Sequence, residues 1–162
     1  MHEIEHRYLL SGLPDNLYKL ADSIVDTTHV YIPGNPLQER FSRIDRIADR
    51  SGTLPNTMYH RTVKWGHGLD RLEFEESISV ELYNDIRWSN LKCTRMLSKR
   101  RFQWKVDELV FEMDQFLDRD LFLAEVEVPS IDSYVQLPEW LESCVIREVT
   151  EEVDFEGVNL AK

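Results

Sequence analysis

The chain has 162 residues, 42% of them hydrophobic, and a formal net charge of -11. That length supports one hydrophobic core, so a single domain spanning residues 1–162 is expected. The acidic balance argues against general binding to a nucleic-acid backbone, no stretch approaches the ~18 apolar residues of a membrane span, and Cys93 and Cys144 lack the spacing of a zinc site or a disulfide framework.

Met1, His2 and Glu3 do not begin a basic and then apolar leader, which gives a cytoplasmic location as the expectation. The first segment, MHEIEHRYLL, alternates: Glu3, Glu5 and Arg7 share one face of a strand, and Ile4 and Tyr8 the other. GLPDNLYKLADSIV has a Pro-Asp-Asn start followed by Leu17, Leu20, Ile24 and Val25 at helical spacing, which predicts a short amphipathic helix. THVYIPGNP reads as a strand ended by a Pro-Gly-Asn-Pro turn, LQERFSRIDRI as a strand, and ADRSGTLPNT as a hairpin loop. MYHRTVKWG and RLEFEESI are strands joined at HGLD, and Ser79 is placed to cap a helix through VELYNDIRWSNL. Three more strands follow in TRMLSKRRFQWKV, ELVFEMDQF and LFLAEVEV, then a short helix in LPEWLESCV. The acidic end, IREVTEEVDFEGVNLAK, has no clear pattern, and its Glu151, Glu152, Asp154 and Glu156 read as a solvated run.

The alternation recurs along these strands. Arg71, Glu73 and Glu75 share a face, as do Lys99 and Arg101, Glu112 and Asp114, and Glu125 and Glu127. An ordinary half-exposed sheet would put such a face in water. Acids or bases repeated at every second residue nevertheless repel unless opposite charges sit between them. A closed antiparallel sheet supplies that condition, because its inward faces converge on one lumen where acids can hold a hard cation and bases a polyanion. The expected fold is α+β: an eight-stranded antiparallel β-barrel, or tunnel, with a charged lumen and a few short flanking helices.

Taken in order, these motifs resemble the CYTH domains, or triphosphate tunnel metalloenzymes. EIEHR is similar to the family's Glu-x-Glu-x-Lys signature, TVKWGHGLDRLEFE to its Thr-x-Lys, Gly, Arg-x-Glu-x-Glu segment, SKRRF to its Lys-x-Arg strand, FEMDQF to its Glu-x-Asp strand and LAEVEV to its Glu-x-Glu strand; PEWLESCVIREVTEE resembles its closing segment. The resemblance implies a hydrolase of triphosphates dependent on Mg²⁺ or Mn²⁺, acting on inorganic triphosphate by default, or on nucleoside or thiamine triphosphate. It also leaves open a protein that sequesters a nucleotide or phosphate ligand without turnover, and an adenylate cyclase. By the same resemblance the metal ligands are Glu3, Glu5, Asp114, Glu125 and Glu127, the catalytic residues Asp114, Glu127 and Arg7, and the phosphate-binding residues Arg7, Arg40, Arg43, Lys64, Arg71, Lys99 and Arg101. Glu73, Glu75 and Glu112 are expected to orient those bases. The implied partner is a triphosphate-containing small molecule, and the implied assembly a monomer or homodimer.

Three departures bear on activity. Arg7 stands where the signature has lysine, keeping the charge but changing its shape. In ERFSR, Arg40 and Arg43 are three apart, so without a bulge they face opposite ways and only one enters the lumen. The tail after EVTEE, basic in the family, is acidic here and retains only Lys162. His2, His6, His29, His60 and His67 are scattered, and Trp65, Trp88, Trp104 and Trp140 read as packing residues.

Overall fold

The computed structural model describes residues 2–32, 37–89, 94–107 and 109–162. The expected turn at 33–36, the helix end at 90–91, Cys93 and the strand start at Glu108 lie outside the described residues.

Nine strands are formed among the described residues: β1 (His2–Leu10), β2 (Ser23–Ile32), β3 (Leu37–Asp49), β4 (Thr57–Trp65), β5 (Asp70–Ser77), β6 (Arg95–Val106), β7 (Leu109–Phe116), β8 (Phe122–Glu127) and β9 (Val145–Glu148). They pair antiparallel in the order β5-β4-β3-β2-β6-β7-β8-β1-β9, and a further pairing of β5 with β1 closes the first eight into a barrel. Strand β1 is the closing stave. Its Glu5–Leu10 stretch pairs with β8, and its opposite edge is shared end to end by β5, at His2–Ile4, and β9, at Tyr8–Leu10. The closing contact is short, because β5 meets β1 only at Asp70–Leu72.

The main apolar core lies outside the barrel wall. Phe102, Phe111, Met113 and Val126, almost fully buried, point outward from β6, β7 and β8, where Leu17 of α1 (Leu17–Leu20) and Leu141 of α3 (Glu139–Glu142) cover them. Helix α2 (Val80–Arg87) covers a second patch through Tyr83, against Val30 and Phe41. Its start matches the sequence signal, since the Ser79 hydroxyl accepts from the Leu82 amide at 3.2 Å.

Two expectations at the level of elements are corrected. The first helix ends at Leu20, because Ala21 already has extended backbone (ψ 136°), and Ile24 and Val25 belong to β2. The apolar spacing of a helix had run on into an adjoining strand. The unassigned acidic end folds as β9, a 3₁₀ turn at Val153–Phe155 and α4 (Gly157–Leu160). It is not a solvated run throughout, because Glu156 is 2% exposed.

Candidate active site

Register determines which side chains meet inside. Antiparallel partners point to the same face, so the pairings Glu5 with Glu127, Arg7 with Glu125, Glu112 with Glu125, Arg101 with Asp114, Arg40 with Thr62 and Lys64 with Glu73 put the repeated charges on one inner surface. Strand β5 shows how strong this arrangement is. Arg71 is 5% exposed, whereas Leu72 and Phe74 on the other face are 49% and 58% exposed. Burying charge while exposing apolar side chains reverses the usual balance of folding, which is expected where a site is built.

The cavity has a volume of about 240 Å³ and is lined by eight carboxylates and six lysine or arginine side chains. Most of these are paired. Arg7 donates to Glu5 at 2.7 Å and to Glu125 at 3.0 Å; Arg71 reaches Glu3 at 3.0 Å and Glu5 at 3.1 Å; Lys64 sits 2.7 Å from both Glu3 and Glu73. Lys99 bonds Asp114, and Arg101 joins Asp114, at 2.7 Å, to Glu125, at 2.6 Å, and also pairs with Glu112. The network therefore runs from β1 through β8 to β7 and β6 on one side and to β5 and β4 on the other.

Two lumen groups lack an opposite charge within ion-pair distance among the described residues. Arg40 donates to the Thr62 hydroxyl at 3.2 Å and its buried Nε has no hydrogen-bond partner, while Tyr31 and the Glu73 carboxylate favour its charge without forming an ion pair. Glu127, at the more exposed end, pairs with no base. Burial raises the pKa of Glu127, and repulsion from Glu3 and Glu73 raises it further. Burial also raises Glu5, with Glu125 the next largest cause. At Glu3 burial acts upward, but Lys64 and Arg71 outweigh it and hold the pKa down to about 2. Glu125 likewise resists burial and lies well below the ordinary carboxylate range, because Lys99, Arg101 and Arg7 surround it. Burial lifts Glu112 to about 7 despite Arg101.

Of the residues singled out from the sequence, Glu3, Glu5, Arg7, Arg40, Lys64, Arg71, Lys99, Arg101, Asp114, Glu125 and Glu127 all line the cavity, as do Glu73, Glu75 and Glu112. Arg43 does not. It lies on the outer face, paired with Asp45 at 2.9 Å, and Ser42 takes the inward place beside Arg40. Ser42 bonds the ring of His29 at 2.8 Å. Burial first, then Arg40 and Lys99, lowers the His29 pKa well below its usual value, so this ring is neutral. Sequence reasoning passed over Tyr31, Gln38, Phe155, Val158 and Leu160, which also line the cavity. For Tyr31 and Gln38 the signal was present, since they alternate with His29 and Arg40; for the C-terminal three it was not, because they reach the cavity only through tertiary docking.

Among the described residues no His, Cys, Asp or Glu side chains are grouped closely enough to form a ready-made metal cage. The carboxylates turn instead toward neighbouring bases. Their chemistry is nonetheless that of a hard-cation donor set: all oxygen, in excess over the bases, and raising one another's pKa at Glu5 and Glu127.

No family model and no curated protein sequence matches the chain. Solved structures do match its fold. A structure described as the inorganic triphosphatase NE1496 is 24% identical with a TM-score of 0.59, over 98% of this chain and 96% of that chain. Another structure of NE1496, described as a hypothetical protein, is 25% identical with a TM-score of 0.58, over 98% and 97%. The PH1012 protein from Pyrococcus horikoshii OT3 is 18% identical with a TM-score of 0.54, over 87% and 84%. Likeness at this level establishes a shared architecture, and activity has to be argued from the site.

Proposed function

We propose that this chain, which has the tunnel fold of the CYTH or triphosphate tunnel superfamily, is a metal-dependent hydrolase of triphosphates, with inorganic triphosphate as its default substrate. The observation that carries this reading is the lumen itself. Bases and carboxylates line it together, and the carboxylates are in excess. A bare polyanion is repelled by that balance, whereas a phosphate chain chelated by a divalent cation is suited to both halves of it.

In this reading Arg40, which forms no ion pair among the described residues, takes a phosphate oxygen directly. Lys64, Arg71, Lys99 and Arg101 turn from their acids toward the chain, and Arg7 holds Glu5 and Glu125 in place. Glu3, Glu5, Asp114, Glu125 and Glu127 are the residues that would hold Mg²⁺ or Mn²⁺, which would supply Lewis-acid polarisation there. Glu127, which forms no ion pair among the described residues, is the carboxylate we propose to orient an attacking water. Transfer of a phosphoryl group then depends mainly on positioning and charge.

The NE1496 structure is described as an inorganic triphosphatase, which supports the same default substrate. A second reading has its own support: Arg7, Lys64, Arg71, Lys99 and Arg101 are already compensated by acids, so a ligand has to displace internal pairs. A sequestering protein without turnover fits that feature. The deciding experiment is phosphate release from inorganic triphosphate, ATP, GTP and thiamine triphosphate with Mg²⁺ or Mn²⁺, with cyclic nucleotide assayed alongside. Release that is lost on chelation and lost in Glu5→Ala and Glu127→Ala is expected. Thermal stabilisation by triphosphate without release would replace the hydrolase with the binder.

A further inference from the structure

Thr62 stands at the centre of a hydrogen-bonded chain that crosses β3, β4 and β5. Its cross-strand partner on one side is Arg40 of β3, and on the other Glu75 of β5. Antiparallel partners share a face, so register alone brings guanidinium, hydroxyl and carboxylate into line on the inner surface. His60 precedes Thr62 by two positions on β4, lies on the same face and reaches Glu75 diagonally.

The protons in this chain converge on Glu75. As a carboxylate it only accepts, taking the Thr62 hydroxyl on Oε2 at 3.0 Å and His60 Nδ1 on Oε1 at 2.8 Å, which assigns the ring hydrogen to Nδ1. Thr62 has one hydroxyl proton, and it goes to Glu75. What the oxygen turns toward β3 is therefore a lone pair, and it accepts from Arg40 Nη2 at 3.2 Å. Thr62 is 1% exposed, so bulk water does not compete for that hydroxyl. Among the described residues Glu75 has no lysine or arginine within ion-pair distance; its partners are the histidine and the hydroxyl. Glu3, Glu5, Asp114 and Glu125, by contrast, hold lysine or arginine directly.

We propose that Thr62, Glu75 and His60 are positioning residues for Arg40, a clamp that fixes the plane of its guanidinium before an anion arrives in the lumen. That the anion is a phosphate chain rests on the reading of the lumen as a triphosphate site; the clamp itself does not. The donors of a guanidinium form a planar fork, so its use depends on direction as well as charge. A fork held in advance gives up less side-chain freedom on binding than one that must be ordered by the ligand. Tyr31 also hydrogen-bonds Arg40, from the β2 side, so loss of Thr62 alone loosens the fork without releasing it.

The test combines NMR of isotope-labelled arginine side chains in the ligand-free protein with calorimetry of inorganic triphosphate in Mg²⁺. The signals absent from Arg40→Ala identify Arg40, whose Nη signals should be resolved in wild type by restricted rotation about Nε–Cζ. Thr62→Val keeps the shape and loses the hydroxyl; exchange between those signals is expected to quicken about fivefold, the scale of one hydrogen bond. Thr62→Ser should restore the wild-type rate. His60→Ala should quicken exchange, and His60→Asn, which keeps an N–H near the place of Nδ1, should reverse the change. Triphosphate affinity is expected to fall about fivefold in Thr62→Val, with no further loss when that change is added to Arg40→Ala. Circular dichroism identifies a variant that fails to fold, and His60→Ala, at the half-exposed end of the chain, carries both measurements if Thr62→Val is one. Unchanged Arg40 signals in the folded variants overturn the clamp, as does an equal loss of affinity with and without Arg40. If wild type binds no triphosphate while the Arg40 signals respond as expected, the clamp stands and the triphosphate reading falls.

Discussion

Arg40 and Arg43 stand three positions apart on one strand and end on opposite sides of the barrel wall. Arg40 donates to Thr62 inside, at 3.2 Å, while Arg43 pairs with Asp45 outside, at 2.9 Å. With side chains alternating along β3, an odd separation puts them on different faces. One arginine is therefore available to a ligand and the other contributes a surface ion pair.

The two substitutions to alanine should separate cleanly. Arg40→Ala is expected to weaken binding of magnesium-chelated triphosphate by roughly 2 kcal/mol, the scale of a hydrogen bond to a charged group, or about thirtyfold. Arg43→Ala should leave affinity unchanged and alter stability by less than about 1 kcal/mol, as exposed pairs do. Calorimetry and a melting curve measure the two effects.

Arg7 gives a prediction about shape. Its Nε and Nη2 hold Glu125 and Glu5 together, at 3.0 and 2.7 Å, a fork that one ammonium group does not reproduce. Arg7→Lys is expected to fold but lose about 1 kcal/mol in urea denaturation. Arg7→Ala leaves two buried acids short of a partner and should cost about 3 kcal/mol or more. An Arg7→Lys protein as stable as wild type would show that charge alone suffices there.

His29 gives a prediction about pH. Its pKa in the folded state lies well below 6.5, through burial and then the nearby cations Arg40, Lys99, Arg101 and Lys64. Below about pH 6.5 the unfolded chain takes up a proton that the folded one refuses. The stability His29 contributes is therefore present above that pH and lost as pH falls. Melting temperatures between pH 8 and pH 5 should decline more steeply for wild type than for His29→Gln; parallel curves would remove His29 as a cause.

How far the sequence discloses this molecule depends on how local each signal is. Alternation along β1, β5, β6, β7 and β8 is a local property, and it was enough to place Glu3, Glu5, Lys99, Arg101, Glu125 and Glu127 on a common inner face. Strand β9 was missed because only four residues, Val145–Glu148, form it against the spare edge of β1. The inward role of the tail was missed for a related reason. Glu156 reads as one more solvated acid until β3 and the β4–β5 loop bring Gln38 and His67 to it. Likewise the direction of Arg40 needed the register of β3 against β2 and β4.

The last prediction concerns how the tail seats against the barrel. A Cβ added at Gly157 would lie 2.2 Å from the Tyr31 hydroxyl and 3.1 Å from the ring carbon bearing it. Tyr31 is 6% exposed and packed among Leu97, Phe116 and Val158, so its ring has little room to withdraw. Gly157→Ala should therefore push the segment off its seat, at a cost of about 1–3 kcal/mol typical of overpacking. Tyr31→Phe deletes the closest atom, and the double variant should recover part of the loss, leaving the shortfall set by the 3.1 Å ring contact. A double-mutant cycle on urea midpoints measures this coupling. If the two substitutions add without coupling, close approach to Tyr31 is not what requires glycine at this position.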